Sequence, residues 1–431
     1  MILRLSDSLS RGLLVIGSLI LALWVSFFGV RSGIAGLAAD GKSIGDLRWA
    51  ARLEPRNPEF WYRLGHYQQF NLEQPDLLAS LESYQKAVTL NPGYTEAWLD
   101  LGTAYELDGN MAAAQDAFLR AKKTYPASAD VAWRYGNFLL RQGTLPEAFA
   151  ELRLALQADP RRAGAVFSRA YRADPDIDAI LNDLLPPLPA VYVDAIAEAV
   201  DSQQLAVAQT MWMRLMRLNP HLQLWQFEKF VGALQAHRDY AAARQVWDQG
   251  TSTMNLPPLI QPRDSVLWDP SFESGLNNTS FAWFFRSLAE GVHTEIDTNE
   301  KLSGKQSLRL TFDGKHNPGA DFACATGVVT PGTKYLFSGW VKTRNITGDQ
   351  GVRFHLRSGG NIQIPLAATR EIHGTTPWTS IEQDWMAGPA VREVEVCITR
   401  EPSTNQDIHI AGDAWVDDVT LVPKAVERRR P

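Results

Sequence analysis

Two periodicities divide this chain. From about residue 44 to 250, apolar and small side chains recur every three or four positions, the spacing that gathers them on one face of a helix. From 265 to 423 they alternate in twos, as in strands with one buried face. Ahead of both lies an uncharged apolar run, residues 12–30, GLLVIGSLILALWVSFFGV. The pattern predicts one apolar helix, then a set of amphipathic helices, then many short strands.

The helical period is clearest between Thr95 and Pro126. Trp98, Leu101, Gly102 and Tyr105 share a face of one short helix, and Ala114, Phe118 and Ala121 share a face of the next. A turn at Asp108-Gly109-Asn110 separates them, and Pro126 ends the second. Small Gly102, Ala114 and Ala121 let the helices approach while the larger residues fill the space beside them. The order Trp, Leu-Gly, Tyr, Ala, Phe, Ala, Pro resembles the tetratricopeptide repeat. Upstream, Trp61, Leu64, Gly65, Ser80, Tyr84, Ala87 and Pro92 repeat it around a three-residue insertion at Glu73-Gln74-Pro75. Downstream, Trp133 (one place late), Gly136, Ala148, Leu152, Ala155 and Pro160 do so again. Fainter copies hold Tyr192, Ala208, Trp212, Leu215 and Pro220, then Phe227, Ala243 and Trp247. An irregular unit is expected at 161–188. The segment before Pro55 reads as the second helix of a partial first repeat. Such hairpins bury their apolar faces only against neighbours, so a solenoid follows.

Residues 12–30 would span roughly 28 Å as a helix at about 1.5 Å per residue, close to a bilayer core of about 30 Å. Arg4 and Arg11 precede the run, which favours a cytoplasmic N-terminus and an extracytoplasmic bulk; Arg31 and Lys42 follow it. A signal peptide cleaved near Ala39, after Gly36-Leu37-Ala38, is the competing reading. Gly36 to Ser43, GLAADGKS, satisfies the P-loop expression but lacks the strand and the α/β sheet that motif requires, so it reads as linker.

In the last third, Leu308, Leu310 and Phe312 share one strand face. Val394, Val396 and Ile398 share another, with Cys397 opposite. Gly, Asn and Pro between such segments argue for an antiparallel sandwich. The opening Leu267-Trp268-Asp269-Pro270-Ser271-Phe272-Glu273-Ser274-Gly275 with Trp283 resembles carbohydrate-binding modules of the cellulase CenC type. Further landmarks are Ser303–Leu308, Tyr335–Lys342, Pro377-Trp378 and the closing Trp415–Leu421. The resemblance implies a jelly roll. It also implies a structural Ca2+ held by Glu273 with Asp417 or Asp418, a hard cation taking about six to eight oxygens. For sugar, Trp340, Trp378 and Trp385 are the aromatic candidates and Arg353, His355, Arg357 and Gln363 the polar ones; core Trp340 and Trp378 would be the plainer reading.

The expected organisation is a multidomain chain of transmembrane helix, all-α tetratricopeptide solenoid and all-β jelly-roll sandwich. Its parts are a cytoplasmic tail (1–11), anchor (12–30), linker (31–43), solenoid (44–250), linker (251–264), sandwich (265–423) and basic tail (424–431). A length of 431 residues suits two or three domains. A net charge of −6, with Arg428–Arg430 the single basic run, gives no nucleic-acid signal. Both cysteines, Cys324 and Cys397, fall in the sandwich. Outside the cytoplasm such a pair is readily oxidised, and two buried thiols is the alternative. The eight histidines form no metal or catalytic motif, and Asp174, Asp176 and Asp178 lack the Gly and distal Glu of a calcium loop. No enzyme is expected. The combination resembles accessory factors of surface-polysaccharide assembly or export: an inner-membrane, single-pass scaffold whose periplasmic array binds a protein and whose sandwich binds a polysaccharide. The alternative is a structural subunit of a large inner-membrane complex, with the sandwich as a protein-docking module.

Overall fold

A computed structural model describes residues 8–41, 43–259, 264–285, 289–358, 364–405 and 409–424. Arg4, Lys42, Gln363 and the tail from 425 onward lie outside the described residues. The chain forms two compact units, Met1–Asp194 and Ala195–Pro431.

In the first unit the apolar helix is α1, Ser8–Ala39. Amphipathic helices follow: α2 Ile44–Leu53, α3 Pro58–Phe70, α4 Leu77–Leu90, α5 Thr95–Leu107, α6 Met111–Thr124, α7 Ala129–Arg141, α8 Leu145–Ala158 and α9 Ala163–Ala173. Short α10, Ile177–Ala179, runs into a π-helical turn at Ile180–Leu184. That is the irregular unit. Asp176 caps α10 by accepting amides of Asp178 and Ala179, so the acidic cluster there serves the helix start. Asn57, Asp76, Asn110 and Ser128 cap α3, α4, α6 and α7 in the same way.

The repeat spacing becomes geometry at three glycines. A Cβ on Gly65 would lie 2.8 Å from the Tyr84 ring, one on Gly102 3.1 Å from Phe118, and one on Gly136 2.8 Å from Leu152. Each marks the close approach of the two helices of a pair, with Ala87, Ala121 and Ala155 fully buried nearby. Polar ties join successive pairs. Arg134 on α7 donates to Asp100 and Thr103 on α5 at 2.7 and 2.8 Å. Arg141 donates to both carboxylate oxygens of Glu106 at 2.7 Å.

The stretch 31–43, read from the sequence as a linker, is helical as far as Ala39. Ala35, Ala38 and Ala39 are buried with Leu47, Ala50, Ala51, Phe60 and Leu64. Arg31 Nε donates to the Leu53 carbonyl at 2.6 Å, and Ser32 donates to Glu54 at 2.8 Å. The end of α1 thus supplies the first helix of the partial repeat. Gly36–Ala39 lie inside that helix, and Ser43 caps α2, so the P-loop expression builds no phosphate cradle.

Helix α11, Pro189–Asp201, carries the boundary between the units. In the second unit α12 Leu205–Met216, α13 Glu228–Ala236 and α14 Tyr240–Ser252 bury Trp212, Phe227 and Trp247. The strands are β1 Phe284–Phe285, β2 Val292–Asp297, β3 Ser307–Asp313, β4 Ala320–Val328, β5 Lys334–Ile346, β6 Arg353–Ser358, β7 Pro365–Ala368, β8 Gly374–Met386, β9 Glu393–Arg400 and β10 Ala411–Pro423. They form two antiparallel sheets, β1-β4-β9-β6-β7 and β2-β3-β10-β5-β8, with Leu308, Leu310, Phe337, Phe354, Val396 and Leu421 between them. Trp247 of α14 meets Trp268 edge-on at 5.1 Å and Phe281 at 6.1 Å, and Arg244 donates to the Val266 carbonyl. The composition change near Pro257-Pro258 therefore marks a switch from helix to sheet within one folding unit.

Candidate functional site

Period two on β6 turns Phe354 and Leu356 into the core, so Arg353, His355 and Arg357 face outward from the first sheet. Register brings them beside β9 and β4: Arg357 opposite Glu395, His355 opposite Cys397, and Cys397 opposite Cys324. Arg357 binds Glu395 at 2.8 Å and also pairs with Asp321. His355 lies 3.3 Å from Glu401, and Arg353 lies 3.2 Å from Glu371. Cys324 and Cys397 form a disulfide beneath this layer, both buried.

At the sheet edge Phe284 of β1 pairs with Cys324 and keeps 49% of its surface exposed. With Phe285, Glu290, His316, Asn317 and Asp321 it lines a cleft of about 860 Å³. Phe284, Asp321 and Glu395 were not legible as site residues, because a two-residue strand carries no periodicity and cross-strand register is invisible in one sequence.

The aromatic candidates lie elsewhere. Trp340 on β5 and Trp378 on β8 belong to the second sheet, half-buried, and Trp340 alternates with the core residue Val341 to face outward. Trp385 is in the core against Tyr335, ring centroids 5.8 Å apart. The expected single sugar site therefore does not assemble. Its polar members are on one sheet, two tryptophans are on the other, and Gln363 is outside the described residues.

Glu273, Asp417 and Asp418 do come together, on the turn from Leu302 to Gln306. Glu273 Oε1 accepts the amides of Lys305 and Gln306 at 2.7 and 3.2 Å. Asp417 Oδ2 accepts those of Leu302 and Ser303 at 2.8 and 3.1 Å, and its Oδ1 accepts that of Asp418 at 2.8 Å. Asp418 Oδ1 accepts the hydroxyls of Ser271 and Ser303 at 2.6 and 2.7 Å. Asp417 is fully buried, and that burial outweighs its three amide donors, so its pKa is pushed up to about 6. Asp269, part of the opening motif but not among the site residues expected from the sequence, accepts the amides of Glu273 and Ser274 at 2.6 and 2.9 Å and anchors that motif. A calcium ion here would compete with amides for most of these oxygens. Among the described residues, the one group of three or more metal-ligand side chains whose ligand atoms all lie within 4.8 Å of one another is Asp321, Cys324 and Cys397, whose sulfurs are bonded to each other.

The tetratricopeptide repeat family model matches residues 72–129 and 112–163. Residues 72–163 are tetratricopeptide repeats. Over 89 residues the chain is 32% identical to the protein O-mannosyl-transferase TMTC1 of Mus musculus, a match covering 20% of this chain. The chain spans about 9% of that relative's length. Solved structures resemble each part. A CBM4 structure matches at 13% identity and a TM-score of 0.28, covering 37% of this chain and 99% of that one. The CBM22-1 xylan-binding domain of Paenibacillus barcinonensis Xyn10C matches at 17% identity and 0.27, covering 38% and 99%. The Pseudomonas aeruginosa pilF structure matches at 20% identity and 0.26, covering 46% of this chain and 76% of that one.

Proposed function

We propose that the protein is a non-catalytic scaffold of a bacterial envelope, anchored in the inner membrane through residues 12–30, with its bulk in the periplasm. The repeat array grips a protein partner. The sandwich binds a polysaccharide, which places the protein in surface-polysaccharide assembly or export. The observation that carries the sugar reading is the cleft beside Phe284, where an exposed ring adjoins His316, Asn317 and Asp321. An apolar face for stacking next to hydrogen-bonding groups is what a sugar needs. Retention of α1 is supported by its end: cleavage near Ala39 would strip Ala35 and Ala38 from the core they share with Leu47 and Phe60. Calcium belongs to this reading, with Glu273 and Asp417 or Asp418 as its ligands. The test is a glycan array probed with the full chain in mild detergent. Binding that Phe284→Ala abolishes supports the reading, and no bound glycan defeats it.

One observation favours the alternative, a subunit of a large inner-membrane complex that docks through the sandwich. Arg357, Asp321 and Glu395 already satisfy one another, so their sheet face can meet a protein surface without stranding a charge. Cross-links from that face to a second protein, with no glycan bound, would select it.

A further inference from the structure

Between α7 and α9 the array carries a cleft of about 460 Å³ lined by Asn137, Leu140, Arg141, Arg169, Arg172 and Ala173. Its charge is one-sided. Arg169 and Arg172 are three apart on α9, which puts them on one helix edge, and Arg141 reaches in from the last turn of α7. Arg141 is matched by Glu106. Arg169 donates to the Asn137 side-chain oxygen at 2.7 Å and lies over the Trp133 ring, 4.6 Å from its centroid. Arg172 Nε donates to the Ser168 carbonyl at 3.1 Å. Neither Arg169 nor Arg172 forms an ion pair with a carboxylate among the described residues. A guanidinium has five N–H donors, so both keep donors to spare.

The surroundings are built rather than loose. Asn137 is buried and donates to the Trp133 carbonyl at 2.7 Å, which fixes its oxygen toward Arg169. Burial, then repulsion from Arg141 and Arg172, hold the Arg169 pKa below its ordinary value, so an anion arriving here would relieve a standing repulsion. Leu140 and Ala173 offer apolar surface beside the charges, a match for the methylene stem of a glutamate side chain.

We infer that this cleft takes an acidic peptide segment of the array's partner, its carboxylates seated on Arg169 and Arg172. The inference rests on the reading that the array binds a protein, and it names the chemistry of that protein's docking segment.

The probe is a fluorescent peptide of eight glutamates, against an all-glutamine counterpart, titrated by anisotropy with the full chain in mild detergent. The glutamate peptide should bind, more weakly as salt is raised, and the glutamine peptide should not. Arg172→Glu should weaken binding at least tenfold. Arg120→Gln, which alters a similar cation stacked on Trp98 in another pair, should leave it unchanged. Arg169→Gln is the second variant, read only if its melting temperature matches the parent. Equal binding of both peptides, no binding of either, or full binding by Arg172→Glu overturns the inference. Cross-linking in native membranes separates it from the broader reading. A partner held on the array equally well by Arg172→Glu refutes the acidic cleft alone. An array that cross-links to no protein in the parent chain refutes protein binding itself.

Discussion

Gly136 and Gly102 occupy the same place in successive repeats, yet the structure predicts different outcomes for the same substitution. A methyl on Gly136 would lie 2.8 Å from Leu152 Cγ, 3.0 Å from its Cδ2 and 3.1 Å from its backbone nitrogen. The side chain can change rotamer; the backbone nitrogen cannot, so α7 and α8 must separate. Overpacking of this kind costs about 1–3 kcal/mol. Alanine returns up to about 1 kcal/mol of helix propensity, so Gly136→Ala should destabilise the array by about 1–2 kcal/mol. At Gly102 the three nearest atoms to the methyl would all belong to the Phe118 ring, at 3.1–3.2 Å. The added methyl would sit over the ring face, and a side-chain ring can yield by a few tenths of an ångström where backbone cannot, so Gly102→Ala should fall within about 1 kcal/mol of neutral. Hydrogen exchange on the full chain in mild detergent reads both. Protection should drop in 129–158 for Gly136→Ala and extend to the adjoining pair 95–124, since each repeat is held by its neighbours. Protection should stay near parental for Gly102→Ala. The reverse order, or no loss for Gly136→Ala, would refute the assignment of which contact limits the helix crossing.

Further outcomes follow from the sandwich. The disulfide spans 73 residues, so Cys324→Ser with Cys397→Ser should cost about 4 kcal/mol in the chain-entropy model, read as a lower denaturation midpoint of the second unit. Asp417 has a folded pKa raised from 3.8 to about 6. Its contribution is therefore complete below about pH 4 and lost as pH rises through about 6, on the order of 3 kcal/mol in all. Asp417→Asn should flatten the pH dependence of melting across that window, and an unchanged slope would exclude Asp417 as its source. Millimolar calcium should raise the melting temperature, and Glu273→Gln should abolish the rise. No rise in the parent chain would leave Glu273 and Asp418 as anchors for the Leu302–Gln306 turn alone.

The repeats were legible because their packing is local. Gly102 and Phe118 meet across a single turn, so the contact shows as a fixed offset in the chain. The strands were legible one at a time for the same reason: alternation on β6 correctly separated Arg353, His355 and Arg357 from Phe354 and Leu356. Alternation says which side of its own strand a residue occupies, and nothing about which sheet that strand joins. Trp340 and Arg353 could therefore share a candidate site on paper while standing on opposite sheets. The end of α1 was misread for a different reason. Arg31, Gly33 and Gly36 break the apolar run as a linker would, and the buried partners of Ala35 and Ala38 come from α2 and α3.

That last feature sets a mechanical condition on the whole array. Helix α1 is 32 residues, about 48 Å at 1.5 Å per residue, and its final turns are clamped by Arg31 on Leu53 and Ser32 on Glu54. With residues 12–30 in a bilayer, as proposed, no swivel separates the spanning segment from the first helix pair. The stem and the first repeats would move as a lever. A pull on the array would tilt the stem in the lipid, and a change in bilayer thickness that tilts the stem would re-aim the array. The height at which the first repeats meet their partner is then set by where Arg31 sits relative to the headgroups. Inserting two or three residues between Val30 and Arg31 would rotate that aim by most of a helical turn without touching a single contact inside the array.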